Sequence, residues 1–375
     1  MTKPTVRKPA SRKPVAKAKT FRILCVNPGS TSTKIALFDG PKPVFVEELS
    51  HSEKELAPFH KIADQFQFRV DAIEKVLRKK KLDLATLSAI VGRGGLIMPI
   101  PSGVYGVNEL MLEHLKDPPL GEHASNLGAL IAHEISRRLD LPAYIVDPVV
   151  VDELDDVARI SGLKEIPRVS IFHALNQKAI ARQAAAKLKK PYEKLNLIIA
   201  HLGGGITVGS HRKGRIVEVN DGVNGEGPFT PERTGMIPAI PLLRMAFSGN
   251  YTHDQLKKMI KGKGGLVSLL GTNSCLEVEK RIAAGDAWAK TVYDAMFYQL
   301  AKEIGAAAAV LEGKVDAVIL TGGVAKSKYG VDAVKRRVRF IAPVLVYPGG
   351  DEMAALAGGV LPVLQGKTRA KEYKG

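Results

Sequence analysis

The sequence predicts an α/β fold made of two similar halves that face each other across a cleft. Three observations carry that prediction. Each half opens with a three-strand meander whose first turn is built from glycine or small hydroxyl residues. Each half later reaches an apolar strand that ends in a glycine pair, so the grammar of the chain repeats once. The length of 375 residues with 45% apolar content also calls for two cores, at about 150 residues per domain.

In order, Arg22–Asn27 reads as a strand, a Pro-Gly-Ser-Thr turn follows, and Lys34–Phe38 returns as a second strand closed by Asp39-Gly40-Pro41. Val44–Leu49 completes the meander, and the periodic polar stretch from about Glu53 to Lys80 reads as helix with a proline-containing start. The apolar strand from Leu87 ends in Gly92-Arg93-Gly94-Gly95. Helices are predicted over Asn108–Lys116 and Ala124–Leu139, then a strand at Ala143–Val146 that delivers Asp147-Pro148, then an Ala-rich helix over His173–Leu188. The second half repeats the pattern: strands at Leu197–His201, Ile206–Ser210 and Arg215–Val219, and an apolar strand Val315–Leu320 ending in Thr321-Gly322-Gly323. A last helix is predicted over Met353–Leu361. The domain limits are therefore 21–188 and 189–375, with the last helix able to pack back on the first domain.

The first twenty residues hold seven Lys/Arg, three Pro and no acid, and removing them takes the formal charge from +17 to +10. With no apolar run they are not a secretory signal and read as a disordered, solubilising basic leader, 1–20. A tether to nucleic acid or another anionic surface is the alternative use of that charge. No basic patch interleaved with aromatics and no zinc-finger spacing supports nucleic-acid binding by the body of the chain. Two cysteines, Cys25 and Cys275, exclude a disulfide framework and point to the cytoplasm. Nowhere do about 18 apolar residues run together, so no membrane span is expected.

The turn Asn27-Pro28-Gly29-Ser30-Thr31-Ser32-Thr33-Lys34 lacks the order of a Walker A loop and leads into a strand, which argues against a P-loop. Hairpin turns can still hold phosphate through backbone N–H groups and hydroxyls. Gly29, Ser30, Thr31, Ser32 and Lys34 in the first half, and His201, Gly203, Gly204 and Gly205 in the second, form such a pair. Arg93, among glycines after an apolar strand, and Arg233, in the Gly/Pro-rich loop 225–235, are candidates for clamping a carboxylate or phosphoryl group. His123, His173 and His201 stand at helix or strand ends; read alone, each fits a structural role as well as a chemical one. Their spacing matches no zinc signature. Asp147 after its strand, and Asp351-Glu352 opening the last helix, are candidates for magnesium, which needs few protein ligands.

Together the stretches NPGSTSTK (27–34), VGRGG (91–95), GEHASNLG (121–128), DPVVVDEL (147–154), SIFHALNQK (170–178), HLGGGI (201–206), DGVNGEGPFTPERTG (221–235), LTGG (320–323) and YPGGDEMAAL (347–356) resemble the acetokinase family. That family lies within the actin-like and sugar-kinase ATPase superfamily, and the resemblance runs from Phe21 to about Tyr373. It implies a duplicated actin-like (ribonuclease H-like) fold with an interdomain cleft, ATP/ADP and Mg²⁺ as cofactors, and a homodimer or higher homo-oligomer. It implies reversible, direct transfer from ATP to a short-chain carboxylate, butanoate first, with isobutyrate, propionate or acetate as alternatives. A non-catalytic actin-like nucleotide-binding protein is the other class. By the same resemblance Asn27 lies near the transferring group, and Arg93 and Arg233 hold the carboxylate and stabilise the transition state. His173 donates to phosphoryl oxygens, His201 serves the phosphate hairpin, and His123 lies near the substrate. Asp147 and Glu352 serve the metal and its waters, Asp147 counting among the catalytic residues without acting as a base. Thr321, Gly322 and Gly323 lie beside the adenosine. Ile97, Pro99, Ile100 and Val104 are the apolar residues expected near the acyl tail.

Overall fold

The computed structural model describes residues 20–375; the expected leader lies outside the described residues except for Thr20. The chain runs β1 (Arg22–Pro28), β2 (Ser32–Asp39), β3 (Lys42–Ser50), α1 (Glu53–Leu56), α2 (Phe66–Lys79), β4 (Ala89–Arg93), β5 (Val104–Gly106), α3 (Glu109–Lys116), α4 (Asn126–Arg138), β6 (Ala143–Val146) and α5 (Ala174–Leu188). It continues through β7 (Asn196–Leu202), β8 (Ile206–Arg212), β9 (Arg215–Val219), α6 (Ala239–Ala246), α7 (His253–Ile260), α8 (Gly265–Leu270), α9 (Cys275–Ala283), α10 (Ala287–Val310), β10 (Ala317–Gly322), α11 (Lys328–Val338), β11 (Val344–Pro348) and α12 (Glu352–Leu364).

The two sheets have the order β3-β2-β1-β4-β6-β5 and β11-β10-β7-β8-β9. Reversing the second gives β9-β8-β7-β10-β11, the same plan as β3-β2-β1-β4-β6. In each, an antiparallel meander is followed by parallel strands. The fold is thus a duplicated two-domain α/β architecture of the actin-like and sugar-kinase type. Strand β5 adds an antiparallel edge to the first sheet. Its three residues, flanked by Ser102-Gly103, are too short to show alternation in the sequence. Strand β11, which the sequence analysis does not predict, pairs in parallel with β10. The stretch read as one helix over Glu53–Lys80 breaks after α1, because Pro58 removes a donor there, and resumes at α2.

The helices cross between the sheets. Ile180, Ala181, Ala184 and Ala185 of α5 pack on Leu197, Ile199, Ala317 and Ile319 of the second sheet. Conversely Met353, Leu356, Ala357 and Val360 of α12 pack on Ile23, Cys25, Phe38, Val91 and Val146 of the first. The division at 188/189 separates the strands of the two sheets, while each of these helices serves the sheet of the opposite half. Their N-terminal ends meet at the cleft and bring His173 and Glu352 to one cavity. On the other face of the first sheet, β4 approaches α4 so closely that a Cβ on Gly92 would collide with the Gly128 carbonyl. Glycine at both positions is what lets β4, which ends in Arg93, sit directly on a helix.

Candidate active site

Both hairpin tips are built to present donors. Arg69, fully buried on α2, gives Nη1 to the carbonyls of Gly29 (2.8 Å) and Ser32 (2.7 Å) and Nη2 to that of Ser30 (3.0 Å). Gln65 Oε1 accepts from the same guanidinium. With its carbonyls drawn back onto Arg69, the β1–β2 tip turns N–H groups outward. The Gly29 N–H itself closes the turn on Ser32 O, as Gly203 N–H does on Gly205 O in the second hairpin. The N–H groups of Ser30, Thr31 and Gly204 have no protein acceptor among the described residues. Ser32 Oγ and Lys34 Nζ both turn to Glu48 on β3, at 3.0 and 3.2 Å.

At the floor of the cleft Asn27, Arg93 and Glu352 form one cluster. Glu352 Oε2 accepts from Asn27 Nδ2 at 2.6 Å and from Arg93 Nη1 at 2.8 Å, while Asn27 Oδ1 accepts from Nη1 at 3.3 Å. All side-chain hydrogen bonds of Arg93 among the described residues fall on Nη1, leaving Nη2 and Nε without a protein acceptor, and Arg93 borders the cavity that His173 and Glu352 share. Asp147 also borders this cavity. Its φ of +38° turns a fully buried carboxylate toward Ser102 Oγ (2.6 Å) and Gly103 N (2.8 Å) on one oxygen and Arg182 (3.3 Å) on the other.

Across the cleft the His173 and His201 rings stack at 3.9 Å, 12° from parallel. His173 Nδ1 lies 2.9 Å from Thr207 Oγ1, and His201 Nδ1–H donates to Asn176 Oδ1 at 2.8 Å. Burial first, then the charge on its neighbours His201, Arg233 and Arg93, pushes the His173 pKa well down. Burial likewise lowers His201 to about 4, against an opposing pull from Glu352. His123 has an exposed edge, yet desolvation between the cleft walls, followed by the charges of Arg93, Lys261 and Arg233, lowers it to about 4. Its Nδ1 accepts from the Ser125 N–H at 3.2 Å, so the neutral ring carries its proton on Nε2.

Arg233 is aimed by the loop that holds it. Thr230 Oγ1 donates to Gly204 O at 2.5 Å and accepts from the N–H groups of Glu232 and Arg233 at 3.1 and 2.9 Å. That ties the loop to the second hairpin tip. Arg233 Nη1 donates to the Gly222 carbonyl, and the guanidinium fills the space that a Cβ on Gly205 would need. Lys261, which the sequence reading passed over, bridges to Arg233 through the backbone and has its pKa lowered by burial and by that arginine. Ile97 and Ile100, expected near an acyl tail, lie in the first core, and Val104 borders a separate pocket behind Asp147.

The acetokinase family model matches residues 145–341. Butyrate kinase 2 of Clostridium acetobutylicum is 54% identical over 354 residues, 94% of this chain and 99% of that protein. The chain belongs to the acetokinase family. Among solved structures, Porphyromonas gingivalis acetate kinase superposes with a TM-score of 0.75 at 20% identity, covering 92% of this chain and all of that one. A propionate kinase from Francisella tularensis gives 0.71 at 20% identity, covering 90% and 98%. These two share the fold.

In this acetokinase, Thr321 and Gly322 end β10 where it meets the second hairpin. Gly322 has φ +91°, exchanges both backbone hydrogen bonds with Gly349, and lies so close to Leu202 that a Cβ there would strike the Leu202 carbonyl. Gly323 opens into free space beside it. The described residues contain no group of three or more His, Cys, Asp or Glu able to cage a metal. Both contacts to Glu352 fall on Oε2, leaving Oε1 without a protein donor, whereas both oxygens of Asp147 are committed to protein donors. Such a set fits a largely hydrated magnesium ion that arrives with the nucleotide. No helix among the described residues is long and apolar enough to cross a membrane.

Proposed function

We propose that this acetokinase is a butyrate kinase: butanoate + ATP = butanoyl phosphate + ADP. The observation that carries the substrate assignment is the 54% identity to a butyrate kinase across nearly the whole of both chains. A carboxylic acid is ionised at neutral pH, with a pKa close to 4 by analogy with side-chain carboxyls, so its attack on the γ-phosphorus needs no general base. The obstacle is repulsion between two anions. Arg93 offers its Nη2/Nε edge to the carboxylate, and Arg233 faces it from the second domain. His173 and the outward N–H groups at Ser30, Thr31 and Gly204 supply donors for phosphoryl oxygens. Glu352 orients Arg93 and Asn27, and its free Oε1 would hold a water of Mg²⁺, with Asp147 fixed behind it by Ser102, Gly103 and Arg182. When bound, that ion neutralises charge on the nucleotide phosphates. The carboxylate oxygen forms a bond to phosphorus as the bond to the β–γ bridging oxygen breaks, and ADP departs. The acyl phosphate is a mixed anhydride, so the same groups serve the reverse reaction.

The assembly we propose is a homodimer. On α6 no residue is buried, and Met236, Ile240, Leu243 and Phe247 are all exposed, Phe247 by 86%. A second copy of the chain would cover that apolar face.

An acid panel with ATP-Mg²⁺ and hydroxylamine, which traps acyl phosphate as hydroxamate, tests the function. Hydroxamate and ADP should form with C2 to C6 acids and peak at butanoate. No hydroxamate with any acid, whether ATP is hydrolysed or merely held, would leave only an actin-like nucleotide-binding protein; a peak at another acid would correct the substrate.

A further inference from the structure

Behind His173 a line of four polar groups runs through the interior between α5 and the second sheet. His173 Nδ1 meets Thr207 Oγ1 at 2.9 Å; Thr207 Oγ1 meets Gln177 Nε2 at 3.0 Å; Gln177 Oε1 meets His211 Nε2 at 3.0 Å; and His211 Nδ1 meets Tyr192 Oη at 2.7 Å. Thr207, Gln177 and His211 are fully buried and Tyr192 is 6% exposed. Glycine at 209 makes room for this line, because a Cβ there would collide with Gln177 Oε1.

The direction of every bond can be worked out. Gln177 Nε2 also lies 3.2 Å from the Thr207 carbonyl oxygen. A carbonyl can only accept, so the amide NH₂ faces Thr207 and Oε1 faces His211. His211 must then donate from Nε2. Burial pushes the His211 pKa well down, so the ring is neutral, its Nδ1 is an acceptor, and Tyr192 donates to it. At the other end Thr207 Oγ1 accepts from Gln177, and the one remaining acceptor for its buried proton among the described residues is His173 Nδ1.

We infer that Thr207, Gln177 and His211 are positioning residues that lock His173 as the neutral tautomer with its proton on Nε2, the nitrogen turned away from Thr207. The lock also opposes protonation, because an imidazolium would donate from Nδ1 and leave the Thr207 hydroxyl proton without a partner. The result is a neutral histidine whose Nε2–H gives a hydrogen bond to a phosphoryl oxygen without protonating it. This inference rests on the placement of His173 at the phosphoryl site.

The test reads the tautomer directly. Long-range ¹⁵N–¹H spectra of ¹⁵N-histidine-labelled protein at pH 7, with His173 assigned by its Gln variant, should show Nε2 protonated and Nδ1 bare. A proton on Nδ1, or an imidazolium, in the wild-type protein would overturn the inference whatever the variants do. Thr207→Ser should keep the tautomer and turnover. Thr207→Val, nearly isosteric, should give a mixture of tautomers and a kcat lower by about tenfold, the rate equivalent of one buried hydrogen bond, with KM for ATP unchanged. Retention of both the pure Nε2–H form and wild-type kcat in Thr207→Val would also refute it. If the wild-type protein made no acyl hydroxamate, the kinase reading would fail while the spectrum still decided the tautomer.

Discussion

Replacing Gly205 by alanine should silence the enzyme without unfolding it. The Cβ added there would lie 2.5 Å from Arg233 Cζ, and the three nearest atoms all belong to the Arg233 guanidinium. Carbon atoms in non-bonded contact need about 3.5 Å or more, so the guanidinium has to leave by roughly 1 Å. The end of a long side chain moves readily, and Gly205 does not occupy the left-handed region, so the backbone has no reason to shift. Stability should therefore change by less than about 1 kcal/mol. Catalysis should fall by at least about a hundredfold, the effect of losing one transition-state donor. Arg233→Ala should do the same, and the two changes should not compound: the double variant should match either single one, whereas independent effects would multiply to about 10⁴-fold. The assay is hydroxamate formation at saturating ATP, with urea denaturation for stability. Wild-type turnover in Gly205→Ala, or a multiplicative double variant, would refute the argument that this glycine exists to seat Arg233.

Arg69→Met should lower stability by about 3 kcal/mol, because removing a buried cation leaves the carbonyls of Gly29, Ser30 and Ser32 without their donor; it should also raise KM for ATP by loosening the hairpin. Equilibrium urea unfolding and nucleotide titration check both, and an unchanged KM would separate Arg69 from the phosphate hairpin. Stability should fall as pH drops from about 6.5 to 4. His201 has its folded pKa lowered to about 4 against about 6.5 unfolded, so the unfolded state takes up the proton first and the native state loses ground across that window. For His201 alone the loss is at most about 3 kcal/mol; unfolding free energies that stay flat between pH 7 and 4.5, in a variant set that includes His201→Asn, would contradict it. Phe247→Asp should convert a dimer to a monomer in sedimentation velocity; a wild-type protein that sediments as a monomer at micromolar concentration would remove the proposed interface.

Much of the molecule is visible in its sequence, and the parts that are not share a cause. The two meanders, strand β6 and helix α5 announce themselves through apolar alternation, small-residue turns and an Ala-rich period, all local signals. Arg93 and Arg233 stand out because long cationic side chains sit among glycines where no helix face needs covering. Arg69 carries no such mark: on α2 it reads as one more solvated cation, and only the return of the β1–β2 tip over that helix buries it. Gln177, Thr207 and His211 are equally silent, since a glutamine in an Ala-rich helix and a threonine and a histidine in a strand become a directed chain only when α5 packs on the second sheet. Lys261 enters the site because its backbone bridges to Arg233, a pairing across a loop that no periodicity encodes.

The exchange of helices between the two halves is the same lesson at larger scale. Linear order places α5 with the first half and α12 with the second, and each packs on the other's sheet. Their side chains explain why both remain half-legible: α12 is apolar almost all round and α5 is small and apolar on its inner side, which predicts burial but not the partner. The consequence is chemical. His173 and Glu352 open helices anchored to opposite sheets, so in the proposed mechanism the group that faces the phosphoryl donor and the one that orients the carboxylate clamp are each fixed to a packed layer. A cleft arranged in this way can bring two repelling anions together by closing the layers, without either helix having to unwind.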